Sequence, residues 1–131
     1  MNRKGTLGVS LLVLSGLLFS AASAWAEYDK AEVVRVMRQN MSKINEAKTA
    51  VAKGDFYIAA AALFEIAKGM NGIKAFNPYK GEQANWDKTM DAVITAAFRG
   101  IGACAEKDMA GVNKHIAELQ ALNKEGHSAH K

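Results

Sequence analysis

Two kinds of apolar pattern run along this chain. The first is continuous: Leu7 to Phe19 is interrupted only by Gly8, Ser10, Ser15 and Gly16. The second is periodic, with apolar residues recurring at spacings of three and four from Val33 to Leu122. At about 3.6 residues per turn, such spacings gather side chains on one face of an α-helix. No convincing segment of period two, the mark of a strand, occurs. The region after the leader therefore reads as helix throughout.

Four helices follow from the start and stop signals. Asp29-Lys30-Ala31-Glu32 is a capping box, with Tyr28 placed to staple onto Val33. The first helix then presents Val33, Met37, Met41, Ile44, Ala47 and Val51, and Lys53-Gly54 stops it. Asp55 caps the second, whose buried side is Phe56, Ala59, Ala60, Leu63, Ile66, Ala67 and Met70. Its alanines let a neighbour approach closely, and Asn71-Gly72 ends it. Ile73 to Gly81, with the sole proline in Asn77-Pro78, is the longest irregular connection. The third helix starts near Glu82 and carries Trp86, Met90, Val93, Ala97, Ile101 and Cys104, widened by Ile94 and Phe98. Glu106-Lys107-Asp108 is a short break, and Asp108 caps the fourth. That helix has the stripe Met109, Val112, Ile116, Leu119 and Leu122. His127 falls at the stripe's edge, about 20° from Ile116 at 100° per residue. Two short connections and one longer one predict an all-α, antiparallel, up-down-up-down four-helix bundle.

The continuous run belongs to a different element. Asn2-Arg3-Lys4 precedes it and Ala24-Trp25-Ala26 follows, giving the basic start, apolar middle and small-x-small site of a secretory signal peptide over residues 1–26. Cleavage is expected after Ala26, with Ala24 as the alternative, leaving residues 27–131 as one small exported, periplasmic domain. An uncleaved N-terminal anchor is the competing reading. The net charge of +4 includes Arg3 and Lys4. The mature value of about +2 is too small to argue for nucleic acid or an anionic membrane. One cysteine, Cys104, rules out an intramolecular disulfide and any CxxCH haem-attachment motif, and it reads as a buried small hydrophobe.

Candidate chemistry lies where the first and last helices meet. Met37 is about 12 Å into the first helix at about 1.5 Å per residue. His127 is near the far end of the fourth, so an up-down bundle sets the two at similar height on facing sides. A thioether and a neutral imidazole on opposed helices form the axial pair of a low-spin haem. Each also has a plainer reading: methionine as core, and histidine as a cation favoured by a helix C-terminus. His130, one turn on, is the alternative ligand. His127 and His130, spaced i,i+3, would with a carboxylate suit Cu(II), Ni(II) or Zn(II). His115 lies about 18 Å from His127 along the axis and reads as a boundary residue. Met41, a turn deeper than Met37, reads as core, while Arg38 and Gln39 read as solvated. No nucleophile–base pair, carboxylate pair or phosphate loop stands out, so an enzyme is not expected.

The mature chain resembles the class II c-type cytochromes, the cytochrome c′ group, and the soluble b-type four-helix cytochromes. Val36-Met37-Arg38-Gln39-Asn40 resembles the first-helix segment with the sixth-position residue, Lys53-Gly54-Asp55 matches the turn after it, and Trp86 resembles a tryptophan often found early in the third helix. Counted from Asp108, the family's CxxCH falls on Asn123, Lys124, Glu125, Gly126 and His127. Both attachment cysteines are thus replaced, by Asn123 and Gly126, and the histidine remains. The resemblance implies haem b held non-covalently by His127 and Met37, with no covalent haem c, and with Arg38 placed to pair with a propionate. It implies electron transfer with a periplasmic redox partner; the lysines of the first and fourth helices read as ordinary solvated faces, with a docking patch for an acidic redox partner as the alternative. It equally implies the alternative of a haem-free binding or scaffold bundle, working through a homodimer as many cytochrome c′ proteins do.

Overall fold

The structure is a computed structural model and describes residues 29–76 and 83–130, the side chains of 127–130 excepted. It holds four helices: α1 (Lys30–Ala52), α2 (Phe56–Lys74), α3 (Gln83–Ala105) and α4 (Met109–His130), with no strand among the described residues. Each helix packs against the next, and α1 also meets α4. Contact between α1 and α4 is much the sparsest of the four. No described helix is long and apolar enough to cross a membrane. The leader over residues 1–26 and the Tyr28 staple lie outside the described residues.

The two short corners share one construction. At the end of α1, Gly54 takes φ +75° and donates to the Val51 carbonyl at 2.9 Å, while Asp55 N–H donates to Ala50 at 2.8 Å. This is the paired closure that satisfies orphan carbonyls at a helix end. Asp55 then caps α2, its carboxylate accepting from Ile58 N–H at 3.1 Å. After α3, Lys107 N–H donates to Cys104 at 3.0 Å and Asp108 N–H to Ala103 at 2.9 Å. Asp108 caps α4 by accepting from Gly111 N–H at 3.0 Å. Here the left-handed position is held by Lys107, at φ 56°. At the start of α1 only half of the expected box forms. Asp29 accepts from Glu32 N–H at 3.1 Å, but the Glu32 carboxylate turns to the Arg35 guanidinium.

Packing corrects several sequence expectations. The buried face of α1 is Val33, Val36, Asn40, Ile44, Ala47, Ala50 and Val51. Met37 is half-buried against the core, and Met41, expected in it, is 49% exposed. The cause is α2: a Cβ on Gly69 would lie 3.2 Å from Val36 Cγ1, so α1 turns toward that close approach and leaves its α4-facing side open. Asn40 is buried in consequence. Its Nδ2 donates to Met70 Sδ at 3.1 Å, and its Oδ1 has no partner.

Asn71-Gly72 does not end α2, which runs on to Lys74. Ile73, three residues after Met70, is 1% exposed. Burying it stabilises by about 1.5–3 kcal/mol, more than the roughly 1 kcal/mol that a helical glycine costs. The Trp86 indole also donates to the Lys74 carbonyl at 3.1 Å, satisfying the end of the helix. On α3, Phe98 is 52% exposed where it was expected to widen the core. Gly100, two positions on, occupies the contact with α2, where a Cβ would come within 2.8 Å of Leu63 Cδ1. That places Phe98 about 200° away, on the outer surface. Met109, at the start of the α4 stripe, is also exposed, whereas Val112, Ile116 and Leu119 are buried. Cys104 is buried as expected, and desolvation pushes its thiol above the ordinary range.

The corners make opposite predictions at matching positions. Lys107→Gly removes a left-handed cost of about 1–2 kcal/mol and adds about 0.5–1 kcal/mol of chain entropy, so thermal unfolding should shift upward. Gly54→Ala should lower the midpoint. A fall on Lys107→Gly would contradict the corner described.

Candidate cofactor site at the α1–α4 seam

The rotation of α4 is set by what each side touches. Toward α3 lie His115, Glu118 and Gly126. His115 Cβ is 3.6 Å from the position of a Cβ on Gly100, and Glu118 meets Arg99 at 3.9 Å. A Cβ on Gly126 would stand 2.8 Å from Thr89 Cγ2. Toward α1 lies Asn123, whose Nδ2 donates to Met41 Sδ at 3.5 Å.

The sequence-derived residues thus divide. Met37 and Met41 sit a turn apart on the open side of α1, and Asn123 faces them from α4. Gly126 belongs to the α3 contact, and Arg38 is exposed on α1. The imidazoles of His127 and His130, and with them the divalent-metal reading, lie outside the described residues. Among those described, no group of three or more His, Cys, Asp and Glu residues is placed to hold a metal. His115 is half-buried at the α3–α4 boundary, its Nδ1 3.2 Å from Glu118 Oε2. Gln39, expected in solvent, is half-buried and accepts from the Arg35 guanidinium at 3.2 Å. Trp86 works as a fastener between α2 and α3, beside the Lys74–Asp91 ion pair at 2.7 Å. The hydrogen bond to Asp91 holds the Lys74 ammonium above its ordinary range, so this contribution is full below that range and lost as pH rises through it.

Sequence reasoning missed two features. The Met41–Asn123 contact joins residues far apart in the chain and has no local signal. The Arg99–Glu118–His115 cluster was half legible, since His115 and Glu118 are spaced i,i+3.

The fit to a porphyrin follows from the donors and the packing. The centre is filled, with Val36, Met70, Ile73, Trp86, Met90 and Leu119 fully buried. The α1–α4 seam is different: contact across it is sparse, and Met37 on α1 is half-buried. The filled centre leaves no room for a porphyrin in the bundle's middle, and of the two expected axial donors only the Met37 thioether lies among the described side chains. No protein-family model, curated protein or solved structure matches the chain.

The Gly126–Thr89 approach is testable by a double-mutant cycle. Gly126→Ala alone should destabilise, because overpacking of about 1–3 kcal/mol exceeds the roughly 1 kcal/mol gained in helix propensity. Adding Thr89→Ser, which removes Cγ2 and keeps the hydroxyl, should recover most of the loss. Additive effects in urea unfolding would show that α4 does not lean on Thr89.

Proposed function

We propose that this chain is an exported, cytochrome c′-like protein that binds haem b non-covalently between α1 and α4 and carries one electron per haem. The observation that carries the reading is the Asn123–Met41 contact at 3.5 Å. Contacting pairs support an up-down-up-down course: Leu63 with Gly100 and Lys74 with Asp91 across α2–α3, then Arg99 with Glu118 and Thr89 with Gly126 across α3–α4. With α1 and α4 opposed and Met41 level with Asn123, one turn outward on each helix sets Met37 level with position 127. The spacing is four residues on both sides, about 6 Å of rise.

In this reading Met37 and His127 are the axial donors, with His130 the alternative to His127. Arg38, exposed on α1, pairs with a propionate. Asn123 and Gly126 occupy the two attachment positions of the resembled family and form no thioether bond, so the cofactor is haem b. Bound haem supplies a one-electron couple; the chain supplies ligation, burial and exclusion of water, which set the potential. The partner is a periplasmic redox protein with an acidic face toward the lysines of α1 and α4.

A second reading, a haem-free scaffold bundle, is favoured by the filled centre and the missing cysteines. One titration separates the two. Haem added to the protein should give a shifted Soret band and, on reduction, an α-band, both lost in His127→Ala. No shift, and no effect of His127→Ala, would leave the scaffold reading in place.

A further inference from the structure

The outer side of the α2–α3 pair carries aromatic side chains that no described element covers. Tyr57 is 83% exposed, Phe64 50% and Phe98 52%. On α2, Phe64 lies about 100° round from Leu63, which meets α3 at Gly100, and on the side away from Gly69, which meets α1. Tyr57 shares that face, about 20° from Phe64. On α3, Phe98 lies about 20° from Asp91, which pairs with Lys74 of α2 at 2.7 Å. It lies about 100° from Arg99, which meets Glu118 of α4. Both phenylalanines therefore lean over the α2–α3 groove. The Leu63–Gly100 approach sets them within about one turn of the same level.

Charge is sorted across the same groove. Lys68 and Lys74 stand on its α2 side, Asp87 and Asp91 on its α3 side. Asp87 is near enough to act on the Lys74 ammonium together with Asp91. Lys68 is exposed and has no acidic partner among the described residues.

We propose that this face docks a second copy of the chain, about a two-fold axis running along the groove. Such an axis keeps levels and exchanges sides, so α2 of each copy lies over α3 of the other. Phe64 then meets the partner's Phe98, and the two lysines of α2 meet the partner's Asp91 and the partner's Asp87. The patch is thus complementary to itself in charge, basic against acidic on both halves. An anionic membrane would instead favour an unbroken basic face, and two aspartates stand on this one. At about 150–250 Å² for a whole aromatic side chain, the exposed fractions offer roughly 300–450 Å² per copy. That is well under the ~800 Å² per partner of a standard interface, so the dimer is weak and reversible. Contacts join the four helices in a ring, which puts this face across the bundle from the α1–α4 seam. The proposal therefore holds whether or not haem binds.

Sedimentation of the purified protein over a concentration series tests it, with the fold of each variant checked by circular dichroism. The parent should pass from monomer to dimer as concentration rises. Phe98→Ser, at an exposed position, should weaken dimerisation by about 10-fold or more. Lys68→Glu and Asp91→Lys should each weaken it, because like charges then oppose one another on both halves. An equimolar mixture of those two variants should recover it, since positions 68 and 91 again meet with opposite charge at both contacts. A parent that stays monomeric, dimerisation unchanged by Phe98→Ser, or a mixture no better than either variant alone overturns the proposal. A monomer captured through Phe98 by vesicles of phosphatidylserine and phosphatidylcholine overturns it in favour of a membrane.

Discussion

A side chain at Gly100 would come within 2.8 Å of Leu63 Cδ1, one at Gly69 within 3.2 Å of Val36 Cγ1, and one at Gly126 within 2.8 Å of Thr89 Cγ2. Close approach across α2–α3, α1–α2 and α3–α4 thus depends on the missing Cβ at one glycine in each seam. Tight seams gain dispersion over long stretches of contact. They also turn the helices: α1 rolls toward α2 and α4 leans on α3, so the faces those two helices would share are drawn apart. Sparse contact between α1 and α4 accompanies the close approach in the other three seams. The exposed Met41 and half-buried Met37 are its visible result.

Much of the fold was legible because the signals were local. Asp29, Asp55 and Asp108 cap the helices expected of them, and Gly54 stops α1 in the left-handed conformation that glycine takes without cost. The failures share one cause, which is tertiary contact overruling local pattern. Asn40 stands outside the apolar stripe of the first helix, yet it is 3% exposed because the hollow at Gly69 lies over it. Asn71-Gly72 reads as a stop, and the burial of Ile73 carries the helix past it. Phe98 reads as core, and the α2 contact at Gly100 turns it outward. Of the candidate site, the residue types were visible in the sequence: a methionine on the first helix and a histidine on the last. The sparse contact between those two helices was not, because it is a tertiary property.

This division bears on function. A bundle closed equally on all sides would have to break a well-packed interface to admit a flat cofactor. Here the interior is occupied by Trp86, Met90, Ile73 and Leu119, whose displacement would cost several kcal/mol. Contact between α1 and α4 is sparser than across the other three seams. The buried Asn40, with one amide oxygen unsatisfied, is a standing cost on the α1–α2 side and plays no part in the seam.

Residue-level hydrogen exchange, with and without haem, tests the seam most directly. Without haem, amides of α1 near Met37 and of α4 beyond Asn123 should exchange faster than those of α2 and of α3 beside Gly100. With haem, protection should rise in those two segments and stay constant in α2 and α3. Equal protection across all four helices in the free protein, or a haem-dependent change centred on α2 and α3, would contradict the account.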